Sequence, residues 1–202
     1  MTLPPTQQEF LHPEPSVSRH PVNGESRSPS VHDRALHFAI ELQAWGHHPA
    51  TWGEREMSSM SNHSRWIALS APGDLCEPAC VRKVKRIRAV DLAHTKAAYN
   101  QLVSEAASSS ASRPVVLADV EVLIAPEARQ ARRRLAELEL QVPTSPSTLR
   151  YVGTPVGLAG LLADIGAARV ADGVTILPLV VPDVLDQLME VTLPWLRHRG
   201  LI

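Results

Sequence analysis

The stretch Leu149-Arg-Tyr-Val-Gly-Thr-Pro155, continued by Ala171-Asp-Gly-Val-Thr-Ile-Leu-Pro-Leu179 and closed by Trp195-Leu-Arg-His-Arg-Gly-Leu-Ile202, decides the fold class. Thr154 is an N-cap whose hydroxyl can take an orphan backbone N–H. Pro155 suits the first helical position, where its missing donor goes unpaired anyway. A helix is therefore expected from Pro155, with Val156, Ala159, Leu162 and Ile165 on one face, widened by Leu158 and Leu161, ending near Gly166. The run Val174 to Val181, interrupted only by Thr175 and Pro178, is too short and too β-branched for a helix. It reads as a strand buried on both faces. Pro182 restarts a helix with Leu185, Leu188, Val191 or Thr192 and Trp195 inward. Pro194 should kink it, and Arg197, His198 and Arg199 suit the negative end of its dipole. Helix, buried strand, helix is a piece of an α/β protein with a parallel sheet.

Three pieces of this stretch, Tyr151 to Pro155, Ala171 to Pro178 and Leu193-Pro-Trp-Leu-Arg-His-Arg-Gly-Leu201, resemble in order and spacing the C-terminal end of the bacterial luciferase-like flavin-dependent monooxygenases. The branch is that of nitrilotriacetate monooxygenase-type enzymes. Further upstream, Leu36, Phe38, Ile40 and Leu42 alternate in a strand candidate. The Trp45-Gly-His-His-Pro-Ala-Thr-Trp52 that follows is similar to the family's loop after the first barrel strand. His48, Pro49 and Trp52 stand in matching places, while Gly53 occupies the position where the family has Arg. Pro114 to Pro126 reads as a second strand, apolar on both sides, followed by a helix from Glu127 to Leu140. The resemblance makes it the penultimate barrel strand.

The resemblance implies a partial (β/α)8 barrel, an oxidoreductase reaction using reduced FMN and O2 on a small organic substrate, and a flavin reductase as partner. His48 and Trp52 are the cofactor- or substrate-facing candidates at the C-terminal mouth, where such barrels carry their sites. His48 can donate a hydrogen bond or shuttle a proton, and Trp52 can wall the pocket. A loop that merely closes a strand end is the plainer reading of the same residues. A full barrel takes about 250 residues, so the central strands, and with them the family's flavin-phosphate site, find no counterpart. No catalytic base is assigned. An inactive remnant or interaction protein is the alternative to an enzyme.

The chain has 202 residues, 44% of them hydrophobic and 20% charged, with net charge −1, which gives no global pull toward nucleic acid or membrane. No apolar run approaches a membrane span and no signal core opens the chain, so a cytoplasmic location is expected. Residues 1–30, rich in Pro, Ser, Gln and His, are expected to be a disordered tail, and 31–202 one domain. Gly53 to Asn62 reads as a loop, Arg65 to Pro72 as a short strand, and Asp74 to Pro78 as a turn. Cys76 and Cys80, with His63 and His94 at a distance, match no zinc spacing, so no metal is assigned. Arg82-Lys-Val-Lys-Arg-Ile-Arg88 lacks interleaved aromatics and is read as a solvated cationic lead into a helix from Val90, rather than as a nucleic-acid patch. The expected sheet has the Val174 strand central, the Val115 and Leu36 strands on either side, and the Trp66 to Leu69 segment outside the Val115 strand. The two open edges, together with a half-exposed barrel interior, imply self-association into a homo-oligomer or poor solubility as a monomer.

Overall fold

The computed structural model describes residues 35–43, 45–52, 65–69, 84–109 and 112–202. The expected tail, the Gly53 loop, the Asp74 turn and both cysteines lie outside the described residues. The strands are β1 (His37–Leu42), β2 (Arg65–Ala68), β3 (Val84–Ile87), β4 (Val115–Ile124), β5 (Leu149–Gly153) and β6 (Gly173–Pro178). The helices are α1 (Leu92–Ser108), α2 (Ala128–Gln141), α3 (Pro155–Ala167), α4 (Asp183–Gln187) and α5 (Leu193–His198), with a 3-10 turn at Pro49–Thr51. The sheet runs β2-β1-β6-β4-β3, and β5 pairs with β4 beyond β3 on the same edge. All pairings are parallel except β2 on β1. The result is a curled half-barrel of parallel strands with helices.

The central place of β6 follows from its composition. All six of its residues are buried, as a strand covered on both faces requires. It lies between β1 and β4, as expected. The outer face of the sheet packs under the helices: Phe38, Ile40, Ala118, Val120, Val122, Val174 and Ile176 join Leu158, Ala159, Leu162 and Ile165 of α3 in one core. Each fully buried Leu or Ile contributes about 1.5–3 kcal/mol. Helix α3 begins and ends where expected, with the Thr154 hydroxyl accepting from the Gly157 N–H at 3.1 Å. Replacing Thr154 with Ala is expected to cost about 1 kcal/mol, read from the urea midpoint. An unchanged midpoint would mean the cap adds nothing.

Several expectations are corrected. Val156 is 52% exposed, because the buried face of α3 is centred on Leu158 and Leu162. The Arg82 to Arg88 run is no solvated lead-in over its described part: Val84–Ile87 is strand β3, paired with Val115 to Ala118. The Trp66 segment does not flank the Val115 strand. It pairs antiparallel with β1, opposing Trp66 to Glu41. Leu149–Gly153 is a strand where the sequence reading marked only a helix start. In the last helix the wide turn Leu188–Thr192, closed by the Leu193 N–H on the Leu188 carbonyl, precedes Pro194. A wide turn inserts a residue, so the buried face runs Val184, Leu188, Leu193 and Leu196 and leaves Trp195 half-buried. Among the described residues no helix is long and apolar enough to cross a membrane.

Candidate functional site

Strand alternation sends every second residue to the concave face. On β4 these are Leu117, Asp119, Glu121 and Leu123, so the inner side is not apolar as expected: Asp119 is fully buried there. Residues opposite one another in register share a face. Ala39, Thr175 and Asp119 therefore form one layer, and Leu177, Glu121 and Arg150 the next. The acids are matched by bases from the neighbouring strands. Asp119 accepts from Arg86 Nε and NH2 at 2.7 and 2.8 Å and from Arg88 Nε at 2.8 Å. Arg86 also forms an ion pair with Glu41 at 2.5 Å. Burial by itself lowers the Arg86 pKa, and the bonds to Asp119 and Glu41 more than offset it, so the guanidinium stays charged. Arg150 donates to Glu121 at 2.7 Å, to Glu139 of α2 at 2.9 Å and to the Thr144 hydroxyl at 3.3 Å.

Above this layer lies the C-terminal mouth. The segment after β1 is stitched to the exit of β6: His47 N–H donates to the Pro178 carbonyl at 2.8 Å, His48 N–H to Leu179 at 3.1 Å, and Val181 N–H to Trp45 at 2.9 Å. Gly46 makes this approach possible, since its φ is +125° and a Cβ there would overlap the Leu179 carbonyl oxygen. His48 is 1% exposed. Its Nδ1 accepts from the Ala50 N–H at 3.2 Å, so the ring proton sits on Nε2, 3.5 Å from the Thr144 hydroxyl. Burial, and then the Arg150 charge, lower its pKa. The half-buried Trp52 donates from Nε1 to the Gly46 carbonyl at 2.9 Å.

Sequence reasoning selected His48 and Trp52, and the structure brings both to this mouth. It missed His47, Arg86, Asp119, Glu121 and Arg150. The available signal was two acids at i, i+2 within β4 and two arginines at i, i+2 in the basic run, a complementary pair of strand faces. A cleft of ≈ 380 Å³ opens at the ends of β4 and β6, its walls including Leu123, Val180, Arg134, Asp183 and Asp186. Among the described residues no group of three His, Cys, Asp or Glu side chains is placed to hold a metal ion.

The half-barrel is similar in structure to EDTA monooxygenase from Chelativorans sp. BNC1, at 15% identity and a TM-score of 0.51, over 59% of this chain and 43% of that one. It is similar also to DmoA from Hyphomicrobium sulfonivorans, at 12% identity and a TM-score of 0.50, over 58% of this chain and 38% of that one. A long-chain alkane monooxygenase, LadA, matches at 15% identity and a TM-score of 0.50, over 58% of this chain and 37% of that one. The chain spans about two fifths of the length of these structures. No protein-family model and no curated protein matches it. What these likenesses share with the chain is the fold, a part of their barrel.

A flavin mononucleotide needs unengaged donors for its phosphate. Loops after the last two strands are the usual place for these in such barrels. Here the exit of β6 carries Asp183 and Asp186 on the first turn of α4, with Arg134 in the cleft wall, while the exit of β5 carries Thr154 and Pro155 at the start of α3. Arg86, Arg88 and Arg150 are all held by carboxylates at 2.9 Å or less. Neither the acidic exit of β6 nor these three arginines offers a phosphate an unengaged cation.

Proposed function

We propose that this chain derives from a luciferase-like flavin-dependent monooxygenase and keeps the mouth of that barrel while holding FMN weakly or not at all. The parent reaction uses reduced FMN and O2 on a small organic substrate, with reduced flavin supplied by a separate reductase in the cytoplasm. The observation that carries the reading is the joint placement of the His48-Pro49 and Trp52 loop at the strand ends of a half-barrel with β1 beside β6 and β4 beyond it. In this proposal His48 braces the loop and Trp52 walls the substrate side. The sheet edges at β2 and β3 favour pairing with a second copy of the chain.

Titration of FMN followed by flavin fluorescence is expected to give a dissociation constant no tighter than about 1 μM, or about −8 kcal/mol. Acids in the cleft and engaged arginines leave a phosphate without a partner. Flavin retained one-to-one through gel filtration would overturn the weak-binding reading and restore an ordinary flavoenzyme. Complete absence of binding at millimolar flavin is the other outcome this reading allows, and it makes the chain a remnant or interaction protein rather than an enzyme.

A further inference from the structure

We propose that His47, rather than His48, is the proton-accepting group of the barrel mouth, acting through Nδ1 on a bound molecule that gives up a proton. The two adjacent histidines are distinguished by their hydrogen bonds. His48 Nδ1 is the acceptor for the Ala50 N–H, and its Nε2 proton faces Thr144, so neither nitrogen of this buried ring is available. His47 is the reverse. Its Nε2 lies 2.8 Å from the Glu41 carbonyl oxygen, an atom that can only accept, so the proton of the neutral ring is fixed on Nε2. Nδ1 is left with a lone pair. It has no hydrogen-bond partner among the described residues and, in this half-buried ring, is not among the fully buried unpartnered atoms, so it is not closed off from solvent.

The backbone holds this ring in place, because the His47 N–H is bound to the Pro178 carbonyl at the exit of β6. A positioned imidazole with a fixed tautomer and a free lone pair is the arrangement general-base catalysis needs. The charged groups facing it are Glu41 from β1, Glu121 from β4 and Arg86 from β3. Burial, reinforced by the Arg86 charge, outweighs Glu41 and Glu121 and lowers the pKa below 6.5, keeping the ring neutral at physiological pH. In the transfer, the bond between the donor atom and its proton breaks, the electron pair stays on the donor, and the proton joins Nδ1 to give imidazolium. Nε2–H stays on the Glu41 carbonyl throughout. The inference rests on the mouth being where a substrate sits, and is independent of flavin binding.

The test is carbethoxylation of the full chain with diethyl pyrocarbonate, followed by peptide mapping in the mass spectrometer. His47 is expected to react through its open lone pair, and His48 at least about tenfold more slowly, because a buried ring reacts only through local opening. The His47 rate should climb with pH and level off below 6.5, since the neutral ring is the nucleophile. Long-range 1H–15N spectra are expected to show the His47 proton on Nε2. His48 reacting as fast as His47, an unmodified His47, or a His47 proton on Nδ1 would each overturn the assignment. Failure of the flavin titration would leave it untouched.

Discussion

Replacing Asp119 with Ala is expected to lower the unfolding free energy by about 3 kcal/mol, the low end of the range for breaking a buried ion pair. The carboxylate is fully buried and accepts three guanidinium bonds. Removing it leaves Arg86 and Arg88 facing each other with only Glu41 to offset them. The low end applies because the two arginine side chains are 27% and 61% exposed, so water screens part of the loss. Replacing Arg88 with Ala instead should cost less than about 1 kcal/mol, as an exposed partner does. Urea unfolding of both variants decides the point, with the slope unchanged and the midpoint shifted. Equal small effects would mean that Asp119 is solvated and the concave face is open to water.

Replacing Gly46 with Ala is expected to be at least as damaging locally. The backbone there has φ +125°, which costs an L residue about 1–3 kcal/mol. A new Cβ also overlaps the Leu179 carbonyl oxygen, adding about 1–3 kcal/mol of overpacking. The chain can escape only by lifting residues 45–48 from the exit of β6, which breaks the amide bonds of His47 and His48 to Pro178 and Leu179. Hydrogen exchange at those two amides is therefore expected to rise more than at the core amides of β6. Uniform loss of protection across β6 would show instead that the loop and the central strand unfold as one unit.

These two positions mark the limit of what pattern reading reached. The helix from Pro155 was legible because its cap is local: a Thr hydroxyl, a proline without a donor and a broad apolar stripe all lie within a few residues. The central place of Gly173–Pro178 was legible because continuous burial leaves one kind of position in a sheet. Strand Leu149–Gly153 was not, since five half-polar residues carry too little periodicity to separate a strand from a loop.

By itself, then, the sequence determined the helix from Pro155 and the buried strand after it, the order of β1, β6 and β4, and the loop that carries His48 and Trp52. Those follow from local backbone chemistry and from apolar period, which act within one segment. Only the tertiary structure decided that Arg86 and Arg88 form a strand face neutralising Asp119, that β2 turns antiparallel onto β1, and that His47 keeps an open lone pair while His48 is spent on its own turn. The first two are pairings between segments distant in sequence, set by charge and backbone satisfaction across strands, and the third is a choice between two ring nitrogens set by the backbone groups each ring meets in the folded loop.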